Sequence, residues 1–269
     1  MPAAPASRRS SNIHASNIRA SNIRGSNIRA SNILVVSAFA PELAPLVRWL
    51  EAPGQRRLRR RVFCQPVGIG AVDAAAGAAA ALAGWRPSGG PPSVLVFVGT
   101  AGTYGAAPPV EAVAVAGGLH LVSGSAEAGH AYFPGPMALR AASDDRVRRE
   151  LATAAGGAVV ADVATPLAIT TSRALARRLA AATRATVENL EVFAVARAAH
   201  AAKVPFGAVL GIANQVGPGA HRAWREHQRA ASAAACAVVA AWIEDRLEHE
   251  EDPGPTPPAG RRRAVGARG

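Results

Sequence analysis

The sequence predicts an α/β protein in three layers, a sheet enclosed between two sets of helices. Two observations carry the prediction. Between residues 33 and 248, short apolar runs of strand type alternate with stretches of helical period, an order that lays helices over a largely parallel or mixed sheet. At 269 residues, 49% of them hydrophobic, the chain can also bury one sizeable core, and we read it as one domain.

The elements follow in order. Residues 33–38 form a short apolar strand, and 41–51 form a helix with proline near its start, where a missing N–H costs no intrahelical bond. The arginine run 56–61 is a solvated approach to a second strand at 60–67. An Ala-rich helix is expected at 71–85 and a buried strand at 93–99. Further strands are expected at 110–116, 118–123, 158–163 and 167–171, with helices near 143–155 and 172–183. Glu191 opens an apolar-periodic helix. The strand VPFGAVLGIA follows and ends in Asn214 at a Gly/Pro loop, before a long last helix at 221–248. Trp49, Trp224 and Trp242 stand at helical positions and are expected in the core.

The flanks have a different composition. Residues 11–34 read SNIHA SNIRA SNIRG SNIRA SNIL, a five-residue period that matches neither helix nor strand. One apolar side chain per repeat buries too little to offset the entropy of ordering, so 1–32 is expected to be a disordered tail. Residues 249–269, rich in Pro, Gly and Arg, are expected to be a second one. These tails explain most of the net charge of +12. Nine of the 30 basic residues lie in residues 1–32 and 253–269, which hold no acid; the other 21 face 18 acidic residues. The basic character is therefore a sequence-blind attraction for polyanions, and no specific nucleic-acid function is expected.

Cys64 and Cys236 are the only cysteines, which argues against a disulfide framework and fits a reducing cytoplasm. Ser7-Arg8-Arg9-Ser10 lacks the apolar stretch of an export signal. No run is long and apolar enough for a membrane span. We expect a soluble cytoplasmic protein with no membrane association.

Gly68-Ile69-Gly70 has the start of a dinucleotide fingerprint, but no acid lies between Asp73 and Glu111 to hold a ribose. No nicotinamide, flavin or other cofactor is expected, and the glycines read as a tight strand-to-helix turn. The stretch from Gly99 to Gly102 reads as a flexible loop, either a structural turn or a place where backbone meets ligand. The histidines are scattered, with His221 and His227 six apart, so no metal site is expected.

Two carboxylates and an amide are the candidates for chemistry. Glu42 sits on the first turn of a helix, where the helix dipole favours a negative charge; position alone favours a residue without chemistry. Glu191 lies between Leu190 and Val192-Phe193 on a buried helix and needs hydrogen-bonding partners. The vicinal hydroxyls of a sugar would supply two. Asn214 ends a strand, and in α/β proteins strand ends and helix starts face the ligand crevice, so Glu191 and Asn214 can converge on one small molecule.

In this order the pieces resemble the nucleoside phosphorylase and nucleosidase superfamily across residues 33–248. ILVVSAFAPEL is similar to its first strand and catalytic-acid turn, VGIGAVDAAAGAAAAL to its Gly-Ile-Gly helix, VFVGTAGTYG to its Gly-Ser/Thr-Ala-Gly loop, and VENLEVFAVARAA to its Met-Glu helix. NQVGPGAHRAW resembles the Asn-x-Val-Gly-Pro loop and Trp of futalosine hydrolases, which release hypoxanthine from futalosine during menaquinone synthesis. Methylthioadenosine nucleosidases usually place Asp where Asn214 stands. A 6-oxopurine presents acceptors at N7 and O6 that an amide NH₂ can satisfy, so Asn214 favours a hypoxanthine-like base.

The resemblance implies a three-layer phosphorylase/hydrolase-like fold, a central mixed sheet flanked by helices, acting on a purine nucleoside modified at its 5′ position. In the implied roles Glu42 activates water, Glu191 takes the ribose 2′- and 3′-hydroxyls, Leu190 packs on the nucleoside and Asn214 holds the base. Thr100, Ala101 and Gly102 line the ribose side. Among the departures from the family pattern, Leu190 replaces Met, and Val192 and Phe193 replace small residues, with Phe193 expected to narrow the pocket. Thr171-Ser172-Arg173 stands where Ser-Gly-Asp is common. A phosphorylase, a methylthioadenosine-type nucleosidase and a catalytically silent nucleoside-binding protein remain alternatives. The resemblance also implies a homodimer or higher homo-oligomer.

Overall fold

The computed structural model describes residues 32–85 and 91–249. Apart from Asn32 and His249, the two expected disordered tails lie outside the described residues. The strand β1 (Ile33–Ser37) leads into α1 (Ala40–Glu51), and β2 (Val62–Pro66) leads into α2 (Ala71–Ala83). Two 3₁₀ turns, Pro53–Gln55 and Leu58–Arg60, carry the arginine run between α1 and β2. β3 (Val94–Thr103) is buried at all ten positions. Next come β4 (Val113–Val122), α3 (Gly124–Glu127), β5 (Arg140–Ala142), α4 (Asp145–Ala154), β6 (Val159–Pro166) and α5 (Arg173–Thr183). The described chain closes with β7 (Val187–Glu188), α6 (Val192–Ala201), β8 (Phe206–Gln215) and α7 (Ala220–His249). The local signals are ordinary ones: the side chains of Asp144 and Ser172 accept N–H bonds at the starts of α4 and α5, satisfying donors that the helix leaves unpaired.

The mixed sheet has β1 between β2 and β3, all parallel. β3 pairs in parallel with β8, β8 antiparallel with β4, and β4 in parallel with β6. β6 pairs in parallel with β7, which returns antiparallel to β3. These five pairings close on themselves, so this part of the sheet curls into a ring. Alternate residues of strands covered on both faces enter opposite layers. Leu95, Phe97 and Ala101 of β3 pack with Phe206, Leu210 and Ile212 of β8 under α2 and α6. Val94, Val96 and Val98 instead meet α1 and α7 through Leu43, Leu46, Val239, Trp242 and Ile243. At about 1.5–3 kcal/mol for each large apolar side chain removed from water, this burial holds both helical layers against the sheet.

Three expectations are corrected. Residues 99–102 are not a flexible loop; they lie inside β3, paired with β8 along their whole length and with β7 at Gly102. The segments 110–116 and 118–123 belong to one strand, whose register with β6 shifts between Ala116 and Leu119. There the Gly118 N–H donates to Asp162 Oδ1 at 2.8 Å, a polar tie across the irregularity. Residues 167–171 form a loop rather than a strand, with Leu167 and Ile169 exposed.

Candidate active site

A cavity of about 260 Å³ opens at the C-terminal ends of β3 and β8, beside the start of α6. Glu42, Thr100, Ala101, Gly102, Leu190, Glu191 and Asn214 all line it. Phe193 does not. One turn of helix is 3.6 residues, so a side chain two positions after Glu191 points about 200° away, and Phe193 is buried in the apolar layer under α6.

Glu42 is 3% exposed. Its Oε1 accepts both the Thr100 N–H and the Thr100 hydroxyl, each at 2.9 Å. Its Oε2 is buried without a partner. Burial pushes the carboxyl up to about 7, and the nearby Glu191 charge adds to this, while the Thr100 bonds pull the other way. A carboxyl balanced near neutrality can take a proton from water and release it again. The position follows from the alternation in β3: Thr100 falls in the even series that faces α1 and α7, so its hydroxyl meets the first turn of α1.

Glu191 comes from the opposite layer. Its Oε1 accepts the Gly70 N–H at 2.9 Å, which gives the Gly68-Ile69-Gly70 turn a purpose beyond chain reversal. Gly70 has φ +83°, a conformation costly for other residues, and this turn aims its N–H across to α6. Burial pushes the Glu191 carboxyl above its ordinary range, while the Gly70 N–H and the Asn189 side chain hold it down. Asn189 ties the corner together. Its Oδ1 accepts the N–H groups of Glu191 and Val192 at 2.9 and 2.8 Å, and its Nδ2 donates to the Thr100 carbonyl at 3.0 Å.

Asn214 is brought to the cavity by an irregularity in pairing. Ala101 faces Ile212 but Gly102 faces Asn214, so Ala213 is an extra residue on β8, and such bulges re-aim the side chains beside them. Asn214 Nδ2 donates to the Gln215 carbonyl at 3.0 Å. One amide hydrogen is therefore committed, leaving one for a base rather than the two anticipated. The bareness of Gly102 is also required, because a Cβ there would stand 2.8 Å from both Asn214 Nδ2 and Val216 Cγ2.

An aromatic wall completes the cavity. Trp224 lies 6.2 Å from Phe39 and stacks on His221 at 5.8 Å and 18°, and its Nε1–H donates to Thr100 Oγ1 at 3.0 Å. Contrary to expectation, Trp224 is a cavity residue rather than a core one; Trp242, at 1% exposure, is core. On the far side Glu188 accepts the Thr170 N–H at 3.1 Å and the Tyr104 hydroxyl at 2.8 Å, fixing the 167–171 loop against β7. Among the described residues no three His, Cys, Asp or Glu side chains gather as metal ligands, and no helix is long and apolar enough to cross a membrane.

The sequence profile described as the phosphorylase superfamily matches residues 32–244. The chain belongs to this superfamily. Among solved structures the phosphorylase-superfamily fold recurs in the 5′-methylthioadenosine/S-adenosylhomocysteine nucleosidase of Helicobacter pylori, with 14% identity, 80% of this chain and 98% of that chain covered, and a TM-score of 0.69. Futalosine hydrolase of Helicobacter pylori matches equally well, at 14% identity, 80% and 98% coverage and a TM-score of 0.69. The 5′-methylthioadenosine/S-adenosylhomocysteine nucleosidase of Neisseria meningitidis is 20% identical over 80% of this chain and 99% of that chain, with a TM-score of 0.67. At these identities the likeness is one of fold. Among curated proteins no sequence matches significantly.

Several cavity residues of this superfamily member escaped the sequence reading. Asn189 had a usable signal, since an Asn just before an apolar-periodic run is a helix-start residue. Glu188 sits in a two-residue strand too short to show a period. Phe39, Ile169, Thr170, His221 and Trp224 come from three separate segments and meet only in three dimensions.

Proposed function

We propose that the protein hydrolyses the N-glycosidic bond of a purine nucleoside with a bulky 5′ substituent, with futalosine as the best candidate substrate. The observation that carries this reading is that Glu42, Glu191 and Asn214 share one cavity, with the unpartnered Glu42 Oε2 buried in its wall. A carboxylate accepts about four hydrogen bonds, so Glu191 retains capacity for both ribose hydroxyls after taking the Gly70 N–H. As the C1′–N9 bond lengthens, the electron pair moves into the purine, and the remaining Asn214 N–H stabilises it at N7 or O6. Water oxygen bonds to C1′, its proton passes to Glu42 Oε2, and the purine takes a proton from solvent as it leaves.

Two further points support hydrolysis. The solved structures of similar fold include nucleosidases and a futalosine hydrolase, and among the described residues no Arg or Lys lines the cavity to hold phosphate. The reading includes self-association as a homodimer or higher homo-oligomer, since Ile69 and Ile169 of the cavity lining, and Val72 and Leu167 near them in sequence, expose apolar side chains that a second copy would cover. Hypoxanthine release from futalosine, followed with and without phosphate, tests the proposal. Release in phosphate-free buffer is expected; strict phosphate dependence would make the protein a phosphorylase, and release of adenine from methylthioadenosine alone would change the substrate.

A further inference from the structure

We propose that Trp224 is a positioning residue that acts through the Thr100 hydroxyl to decide which oxygen of Glu42 exchanges the proton. The inference rests on the nucleosidase reading for the task of Glu42, while the chain of hydrogen bonds stands by itself. An indole N–H only donates, so at 3.0 Å Trp224 gives its hydrogen to Thr100 Oγ1. The hydroxyl has one hydrogen of its own, and an ionised carboxylate only accepts. That hydrogen therefore points to Glu42 Oε1 at 2.9 Å, the oxygen that also receives the Thr100 N–H. With Oε1 doubly occupied, the proton from water goes to Oε2, which is buried and makes no hydrogen bond of full geometry, the nearby Ala38 N–H giving the carboxylate only weaker support.

The indole is held by two ring neighbours, Phe39 from the start of α1 and His221 from the start of α7. Substrate contact alone would be met by any aromatic ring at position 224. The relay requires one with a donor. The titratable groups around Glu42 are Glu191 across the cavity, Glu188 and His221 on its walls, and Cys236, whose thiol donates to the Glu42 carbonyl at 3.2 Å. Trp224→Phe leaves all four in place and keeps a ring in the stack while deleting the donor. A freed hydroxyl can turn away from Oε1, so the carboxylate loses support and its proton affinity rises.

The test is the titration of Glu42 in wild type, Trp224→Phe, Thr100→Val and the double variant, with Thr100→Ser as the conservative control. It is read from the infrared carbonyl band that Glu42→Gln lacks and, in parallel, from the acidic limb of kcat/KM. Losing a hydrogen bond to a charged group raises the midpoint by about one to two pH units; this is expected in Thr100→Val, with a smaller upward shift of about half a unit or more in Trp224→Phe. Thr100→Ser should titrate like wild type, and Trp224→Phe should add nothing in the Thr100→Val background. An unchanged midpoint in Trp224→Phe, or an equal shift in both backgrounds, overturns the relay. If no nucleoside is turned over, the nucleosidase reading fails separately, and the infrared titration still decides the relay.

Discussion

Raising the pH through neutrality forces a negative charge onto Glu42 in a place where it is 3% exposed, and the cost can be worked from its displaced pKa. The carboxyl moves from an ordinary 4.5 to about 7 in the folded protein. At about 1.4 kcal/mol per unit, the folded state loses about 3 kcal/mol relative to the unfolded state. This stability is fully present below pH 4.5, is lost as the pH rises through 7, and does not return above it. Replacing Glu42 by Gln removes the titration while keeping the side chain's shape. Urea unfolding of wild type and Glu42→Gln at intervals from pH 5 to 8.5 is the assay, and the stability of the variant relative to wild type should grow by most of that amount across the window. Glu191 titrates in both proteins, so subtraction removes most of its share. Parallel stability profiles would refute the argument that Glu42 is held protonated by burial. The same substitution should slow turnover by about 10²–10⁴-fold, the usual worth of a general base, with nucleoside binding retained; equal activity would remove Glu42 from the chemistry.

Three other substitutions probe separate parts of the site. Asn189→Ala deletes the acceptor for two α6 N–H groups and the tie to β3, so it should cost about 1–2 kcal/mol in denaturant unfolding, the range of a lost helix cap, and lower kcat/KM as Glu191 loosens. Gly102→Ala places a methyl group 2.8 Å from Asn214 Nδ2 and should cost about 1–3 kcal/mol by overpacking, with base release falling more steeply than fold stability; wild-type kinetics would show that Asn214 is free to move. Asn214→Asp exchanges a donor for a carboxyl facing the Gln215 carbonyl. It should shift the ratio of adenine to hypoxanthine release toward adenine when the two nucleosides compete, and an unchanged ratio would remove Asn214 from base selection.

Local pattern was enough to reveal the architecture. Apolar runs of β1 and β3, the Ala-rich period of α2 and the 30-residue α7 are properties of neighbouring residues, and they announced α/β layering before any contact was known. The polar candidates were legible for a related reason: a carboxylate among apolar neighbours, as at Glu191, needs an explanation wherever the chain goes. Three things were decided by tertiary structure. Gly99 to Gly102, weak strand formers by composition, became strand because β8 and β7 supply backbone pairing partners, whereas 167–171 had strand-like residues but meets β7 through the Glu188 side chain rather than through a backbone ladder. Phe193 turned into the core because α6 settles on the sheet with that face against the apolar layer it shares with β3 and β8. Asn189, Trp224 and Thr100 became parts of one hydrogen-bonded corner only when α6, α7 and β3 met, because the energy of a buried polar contact depends on the directions of both partners, and a sequence carries no direction across 124 positions.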